Sequence, residues 1–312
     1  MHDQVTSLPG IGPVDNVQYA GYAPFTPIGG EKDAESLFYW FVGAENHTEQ
    51  PTIIWTNGGP GSSSFWGFFL ENGPYTIETA LGDPPTLRPN PTGWNHYANY
   101  MIFEHPLSVT LSFANDEKNV PSDPEDGAKE LYQALLHVVG LHPEIAKNPI
   151  ILAGESYGGT YLPLLAREIL DGNARGETQL DLRLTVLGDA WVDPIVQMKQ
   201  NTNYAYTHGL ISKKQKAELD KKYADDPSKT NSAIGEIAGV YMANIGQVAG
   251  PAFDSVLYYI NREDVRKSLN VPAGKPLVDQ SWSSKVSANY QHVMNKSFRH
   301  VVQDLLDRKH KI

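Results

Sequence analysis

One serine of this chain stands in a context that suits a nucleophile. The segment Gly154-Glu155-Ser156-Tyr157-Gly158 fits the pattern G-x-S-x-G and follows the apolar run Ile150 to Ala153. In this pattern, small glycines let a strand turn sharply into a helix, which leaves the serine hydroxyl exposed on a strained turn. Backbone N–H groups at the helix start then stabilise negative charge on a reacting oxygen. The alternative is a glycine-rich turn with an incidental serine, which a strand before the motif and a helix after it disfavour.

A second motif offers backbone N–H groups to a ligand. The segment from Trp55 to Ser64 reads WTNGGPGSSS and follows an apolar strand. Consecutive glycines let the backbone approach a ligand closely and present an N–H to an oxyanion. By itself the segment fits a tight turn or a phosphate cradle. It lacks the Gly-Lys-Ser/Thr ending of a P-loop, so we expect no bound nucleotide.

Short apolar segments separated by glycine and proline must position both motifs. The pattern predicts an opening hairpin and four further strands, with amphipathic helices starting at Ser122 and directly after the G-x-S-x-G motif. The predicted strands are Asn16 to Tyr22, Ser36 to Val42, Pro51 to Thr56, Asn99 to Glu104, Ile150 to Ala153 and Leu184 to Leu187. This alternation predicts an α/β fold with a mostly parallel sheet covered by helices.

The predicted secondary structure changes after Pro194, where helical patterns replace strand patterns. The predicted helices there are Ser212 to Tyr223, Ile234 to Ala243, Asn261 to Leu269 and Ser287 to Leu306. We therefore predict a core domain over residues 1–194 that holds both motifs. Residues 195–312 are predicted to form a helical insertion and a final helix leading back to the core.

Composition excludes several classes of protein. With 25 basic and 36 acidic residues among 312, the net charge is −11, which disfavours nucleic acid as a partner. No apolar run reaches the length of about 20 residues that spans a bilayer. The absence of cysteine removes disulfides, thiol nucleophiles and thiolate metal sites. We expect no metal and no cofactor, and the sequence does not define an oligomeric state.

The sequence does not establish the cellular compartment of the protein. The first residues, Met1-His2-Asp3-Gln4, show neither the basic region nor the apolar region of a signal peptide. Two sequons for N-linked glycans are present, at Asn46-His47-Thr48 and Asn295-Lys296-Ser297. Such triplets often arise by chance.

The motifs together resemble the serine carboxypeptidase family of α/β-hydrolases. The resemblance rests on NGGPGSSS and GESYGGTY, on ENGPY at residues 71–75 and on YYINREDVRKSL at residues 258–269. It runs from about Leu8 to the C-terminus in the family's order. It implies an α/β-hydrolase fold, peptide as substrate, and release of C-terminal amino acids at acidic pH through an acyl-enzyme. It also suggests a secreted or a vacuolar or lysosomal location.

The resemblance assigns roles to seven residues. Ser156 is implied to be the nucleophile, and the N–H groups of Gly59 and Tyr157 are implied to form the oxyanion hole. The site for the substrate's terminal carboxylate is implied to consist of Trp55, Asn57, Glu71 and Glu155.

The two glutamates of that set suit the binding of a carboxylate if they lie close together. Glu71 and Glu155 are then expected to approach within hydrogen-bonding range, and their mutual repulsion should leave one of them protonated. A protonated carboxyl can donate a hydrogen bond to a substrate carboxylate. Without the resemblance, Glu71 reads as a solvated helix residue and Glu155 as a turn residue.

Two local departures from the family pattern concern the walls of the site. Ser62 stands where the family has cysteine, so that cross-link or buried thiol is absent. The segment from Glu104 to Val109 lacks the glycine pair that the family has after its D/N-x-P, so it does not define the shape of the adjoining wall.

The largest departure concerns the catalytic base. In α/β-hydrolases the triad follows in the order Ser, Asp, His, and the family places its acid and base after two further strands that follow a helix like Ser287 to Leu306. We therefore expect a C-terminally truncated chain that lacks those strands and has little or no activity. The remaining histidines, His208, His292, His300 and His310, lack the glycine-rich loop of the base and read as surface residues.

Two other functions fit the same motifs. The scaffold also serves acyltransferases that use sugar-ester donors, so transfer of an acyl group is one alternative. The other is a non-catalytic, peptide-binding homologue that retains the carboxylate site alone.

Overall fold

The computed structural model describes residues 3–29, 34–79, 84–239 and 252–312. Within these ranges ten strands form one large sheet and two small ones. The strands are β1 (Ser7–Leu8), β2 (Gly12–Pro13), β3 (Gln18–Phe25), β4 (Glu35–Val42), β5 (Thr52–Thr56), β6 (Tyr75–Glu78), β7 (Thr86–Pro89), β8 (Asn99–Phe103), β9 (Ile150–Glu155) and β10 (Leu182–Gly188). The small sheets pair β1 with β2 and β6 with β7.

The large sheet has six strands in the order β10-β9-β5-β8-β4-β3. Strands β8, β5, β9 and β10 run parallel, whereas β3 and β4 form an antiparallel hairpin that joins β8 through β4. The predicted hairpin, the parallel sheet and the α/β fold are thereby confirmed. Because β5 and β9 are parallel neighbours, with Thr56 opposite Gly154, the segments that follow both strands start at the same edge of the sheet.

The described ranges contain twelve α-helices. They are α1 (Phe65–Leu70), α2 (Pro124–Leu141), α3 (Pro143–Lys147), α4 (Gly158–Arg175), α5 (Pro194–Met198), α6 (Asn201–Thr207), α7 (Lys213–Lys222), α8 (Thr230–Ala238), α9 (Ala252–Ile260), α10 (Glu263–Ser268), α11 (Ser284–Tyr290) and α12 (Arg299–Asp307). The start signal near Ser122 is confirmed, since Asp123 caps α2 by accepting the N–H of Asp126 at 3.0 Å. None of these helices is long and apolar enough to cross a membrane.

Alternation along β4 explains how the sheet is covered on both faces. Trp40 packs against Phe68 of α1 with ring centroids 4.4 Å apart. Its neighbour Phe41 points to the other face and stacks on Tyr19 at 5.8 Å. Each of these side chains is at least nine-tenths buried. The aromatic packing holds α1 against the sheet directly after the glycine-rich turn.

Two predicted helices differ in the structure. The helix expected over Ser287 to Leu306 is wrong, because α11 ends at Tyr290 and α12 begins at Arg299. Between them the carbonyl of Met294 accepts the indole N–H of Trp191 at 3.0 Å, and the Phe298 N–H, its partner in a continuous helix, donates to the carbonyl of Val192 at 2.8 Å. The helix expected over residues 234–243 is present as α8 through Ala238, and residues 240–243 lie outside the described residues.

The chain divides into two compact units. One comprises Met1–Ala190, Pro251–Gln291 and Val301–Ile312 and contains the large sheet. The other comprises Trp191–Gly250 and His292–His300 and contains α5 to α8. In the first unit, β10 is the outermost strand, and its residues Leu184 and Thr185 pair with Lys311.

Candidate active site

The segment around Ser156 forms a tight strand-to-helix turn. Strand β9 ends at Glu155 and α4 begins at Gly158, and Ser156 between them adopts a φ of +54°. Left-handed backbone is costly for a residue with a Cβ, so the surrounding contacts must hold it. The Ser156 N–H donates to the carbonyl of Gly188 at 3.0 Å, and the Ser156 carbonyl accepts the N–H of Gly159 at 2.9 Å. The predicted strand, turn and helix are thus present around the serine.

Glycine is required where the two turns meet. A Cβ on Gly58 would lie 2.3 Å from the Tyr157 nitrogen and 2.8 Å from the Ser156 Cβ. On the other side, a Cβ on Gly154 would lie 2.3 Å from the Thr56 carbonyl oxygen. Backbones can approach this closely only without side chains. The glycine-rich turn therefore lies directly against the serine turn.

Both N–H groups implied as oxyanion donors belong to these touching turns. Among the described residues, neither the Gly59 N–H nor the Tyr157 N–H has a hydrogen-bond acceptor. Gly59 has a φ of +110°, a conformation that glycine alone adopts readily. The turn is fixed downstream, because the Gly61 N–H donates to the Tyr161 hydroxyl at 3.2 Å and the Gly61 carbonyl accepts from Ser283 at 2.8 Å.

Asn57 ties the implied carboxylate site together. Its side-chain oxygen accepts the indole N–H of Trp55 at 2.8 Å and the backbone N–H of Gly67 at 2.9 Å. Its amide nitrogen donates to Glu155 Oε1 at 2.9 Å, and the same amide lies near enough to Glu71 to favour the charged form of that carboxyl. These three hydrogen bonds, two accepted by the amide oxygen and one donated by the amide nitrogen, fix the orientation of the amide. The structure thus brings Trp55, Asn57, Glu71 and Glu155 together, although 84 positions separate the two glutamates.

The two glutamates are electrostatically unfavourable in their charged forms. Burial, reinforced by the charge of Glu155, raises the pKa of Glu71 to about 7, although the hydrogen bond from Asn57 favours the carboxylate. Burial also raises the pKa of Glu155, against the same hydrogen bond from Asn57 and with the charge of Asp189. Glu71 nevertheless keeps part of its surface exposed. The pair can therefore hold a proton at weakly acidic pH and still meet a ligand.

Sequence reasoning missed two acidic residues near the site. Asp189 follows β10 with a φ of +36°, and its negative charge raises the pKa of both Glu71 and Glu155. Its place at the carboxyl end of a strand next to β9 was the available signal. Glu104 follows β8 and is fully buried.

Glu104 fastens the end of the glycine-rich turn. Its Oε2 accepts the Ser63 hydroxyl at 2.6 Å and the Thr110 hydroxyl, and the Ser63 hydroxyl in turn accepts the N–H of Phe65 at 3.1 Å. Burial raises the pKa of Glu104 to about 7. These contacts explain why position 104 carries a carboxyl group.

The segment after Glu104 lacks the glycine pair of the family, but it still adopts backbone conformations that glycine favours. Ser108 has a φ of +80° and Thr110 a φ of +37°, so both adopt left-handed backbone that favours glycine. Ser108 is held there by its N–H, which donates to the carbonyl of Ser112 at 2.7 Å. The wall therefore has glycine-like backbone at both positions, with strain at Ser108 and Thr110.

This strain predicts an order of stability for two variants at one position. Ser108→Gly is expected to exceed Ser108→Ala in unfolding free energy by about 1 kcal/mol, because glycine relieves the left-handed strain that alanine retains. Both variants lose the hydrogen bond that the Ser108 hydroxyl makes with Ser283, so the comparison cancels that loss. Urea unfolding of the two variants measures the difference. Equal stabilities, or a more stable alanine variant, would contradict it.

No base is assigned to Ser156 by its contacts. Among the described residues, the Ser156 hydroxyl has no hydrogen-bond partner. The expectation of a surface position is wrong for His310, which is buried and faces the Thr185 hydroxyl at 2.8 Å, whereas His208 is exposed and faces the Tyr204 carbonyl at 2.9 Å. His300 stacks on Phe298.

Comparisons with known proteins agree on one family. The model of the serine carboxypeptidase family matches residues 9–245. The chain is 31% identical over 272 residues to serine carboxypeptidase 3 of Hordeum vulgare, covering 84% of this chain and 51% of that protein. It is 33% identical over 274 residues to a pheromone-processing carboxypeptidase of Pyricularia oryzae, covering 84% of this chain and 42% of that protein. The chain spans about half the length of these relatives.

A solved structure shows the same fold. A prohormone-processing carboxypeptidase from Saccharomyces cerevisiae matches with a TM-score of 0.84. The match covers 99% of this chain and 76% of the yeast protein at 20% identity. At this identity the likeness concerns the fold alone.

Proposed function

The chain belongs to the serine carboxypeptidase family, and we propose that its site is built for the release of C-terminal amino acids from peptides through an acyl-enzyme on Ser156, with little or no turnover while no base contacts Ser156. The observation that carries this proposal is the pairing of Glu71 and Glu155 through Asn57 beside the serine turn. Such a pair suits a ligand with a free carboxylate, and the serine suits attack on the adjacent peptide bond.

The proposed reaction uses the two touching turns. The Ser156 oxygen forms a bond to the carbonyl carbon of the last peptide bond, and its proton passes to a base. The N–H groups of Gly59 and Tyr157 donate to the oxygen that becomes negative. The carbon–nitrogen bond then breaks, the amine takes a proton, and the terminal amino acid leaves. Water releases the shortened peptide from Ser156 in a second attack.

In this proposal the carboxylate site orients the substrate. A protonated carboxyl on Glu71 or Glu155 donates a hydrogen bond to the terminal carboxylate, which two charged glutamates would repel. Asn57 donates to Glu155 and stands beside Glu71, and Trp55 fixes the Asn57 amide. Because the pKa of Glu71 is raised to about 7, the protonated pair dominates in an acidic compartment. This agrees with the secreted or vacuolar or lysosomal location that we propose from the family.

A non-catalytic, peptide-binding protein is the second candidate function. It is favoured by one observation, namely that the Ser156 hydroxyl has no hydrogen-bond partner in the part of the chain that is described. Both candidates share the carboxylate site, and they differ in whether Ser156 reacts with a bound peptide once a base reaches its hydroxyl.

The carboxylate site predicts a preference between two ligands that differ at one group. At pH 5 the chain is expected to bind an N-blocked dipeptide at least about tenfold more tightly than its C-terminal amide, because a charge-assisted hydrogen bond is worth about 1.5–3 kcal/mol. Calorimetric titration of both ligands measures the ratio. Glu78→Gln, on an exposed residue of β6 paired with Arg88, is a control expected to keep the preference. Equal affinity for the two ligands would exclude the proposed site.

A further inference from the structure

The sequon at Asn46-His47-Thr48 is a motif that the proposed function does not use. It lies in the turn between β4 and β5, where Asn46 has a φ of +57° and its carbonyl accepts the N–H of Glu49 at 2.8 Å. Asn46 and Thr48 are both exposed. A glycan acceptor needs such a surface turn.

The free side chain of Asn46 contrasts with the other asparagines nearby. Asn99 and Asn148 are buried, and their amide nitrogens donate to the carbonyl of His47 at 2.8 Å each. Among the described residues, the Asn46 amide and the Thr48 hydroxyl have no hydrogen-bond partner. The backbone of the turn is thus anchored at His47, while both groups that define the sequon remain available.

The second sequon of the chain differs in this respect. The hydroxyl of Ser297 accepts the N–H of Arg299 at 3.4 Å at the start of α12, so the sequon Asn295-Lys296-Ser297 has an engaged hydroxyl. Asn295 itself is exposed. The Asn46 sequon is therefore the better candidate for a glycan acceptor.

We propose that Asn46 is a site of N-linked glycosylation when the chain enters a secretory compartment. The donor is an oligosaccharide on a lipid pyrophosphate. The Asn46 amide nitrogen forms a bond to the anomeric carbon of the first sugar and loses a proton, and the bond from that carbon to the pyrophosphate oxygen breaks. The lipid pyrophosphate leaves with the electron pair. This proposal does not depend on the proposed peptidase function.

The position of Asn46 keeps a glycan away from the carboxylate site. Asn46 precedes β5, whereas Asn57 follows it, and five strand residues span about 17 Å. Asn46 also borders a groove of about 570 Å³ at its own end of the sheet, lined in part by Ile11, Val14 and Tyr75. A glycan there is expected to leave dipeptide binding unchanged.

The test is secretion of the 312-residue chain from yeast cells behind an added secretory leader, followed by peptide N-glycosidase and mass spectrometry. The enzyme converts a glycosylated asparagine into aspartate, so Asn46 is expected to read as aspartate only after treatment and only in protein that carried a glycan. Thr48→Ala is expected to remove the modification, whereas Thr48→Ser and Asn295→Gln are expected to keep it at Asn46.

Two results would overturn the proposal. One is secreted wild-type protein, folded by its thermal unfolding transition, in which Asn46 carries no glycan. The other is a Thr48→Ala variant that retains the modification at Asn46. If Thr48→Ala fails to be secreted, the peptide map of the wild-type protein alone decides.

Discussion

The 312-residue chain is expected to hydrolyse an N-blocked dipeptide no faster than its Ser156→Ala variant. Among the described residues, no histidine is hydrogen-bonded to the Ser156 hydroxyl, and His310 instead contacts Thr185. Attack by a serine without a base is slow because its proton has no acceptor. Disabling a triad lowers turnover on the order of 10⁶-fold in a well-characterised protease. Release of the terminal amino acid, followed over hours at pH 5, measures the rate.

The controls for this assay separate an absent base from a misfolded site. A serine carboxypeptidase of known activity, assayed in parallel, shows that the substrate is adequate. Binding of the same dipeptide by the 312-residue chain shows that the carboxylate site is formed. Robust turnover that Ser156→Ala abolishes would contradict the prediction, and it would give one of His208, His292, His300 or His310 the role of base.

Dipeptide binding is expected to weaken about a hundredfold between pH 5 and pH 9, and Glu71→Gln is expected to remove most of that dependence. The pKa of Glu71 is raised to about 7, so the protonated pair that accepts a carboxylate is present below pH 7. Above pH 7 its population falls about tenfold for each pH unit. A glutamine at position 71 stays neutral at every pH. It also removes the charge that stands beside Glu155.

The matched control for this series is Glu78→Gln, which removes one carboxylate from an exposed strand and should leave the pH profile unchanged. Each variant is measured by calorimetry at five pH values. A wild-type affinity that does not vary with pH would argue against proton retention by the pair. A Glu71→Gln variant with the wild-type pH profile would show that a group other than Glu71 causes the pH dependence.

The elements around the serine could be predicted because their signals are local. The run Ile150 to Ala153, the two glycines of the motif and the helical spacing after it are contiguous, and β9 and α4 lie where they indicate. The hairpin of β3 and β4 was likewise apparent from continuous apolar segments. The helix predicted over Ser287 to Leu306 was wrong, because its helical spacing does not reveal the contacts of Met294 with a distant tryptophan.

The site itself depends on contacts that no local pattern shows. The resemblance to the family named Glu71 and Glu155, but the three hydrogen bonds that place Asn57 between them require β5, α1 and β9 to be in place. Asp189 lies near the pair only because β10 is the parallel neighbour of β9. The positive φ of Ser108 could not be read from a serine, since glycine is the residue that normally marks such a position.

The number of protons taken up on dipeptide binding tests the central claim most directly. Calorimetry at pH 8 in two buffers of different ionisation enthalpy measures this number for the dipeptide and for its C-terminal amide. With the pKa of Glu71 at about 7, the free pair is mostly unprotonated at pH 8 and must take up a proton to accept a carboxylate. We therefore expect uptake of about 0.9 proton with the dipeptide and almost none with the amide. Binding of the dipeptide without proton uptake, or with the same uptake as the amide, would contradict a carboxylate site built on Glu71 and Glu155.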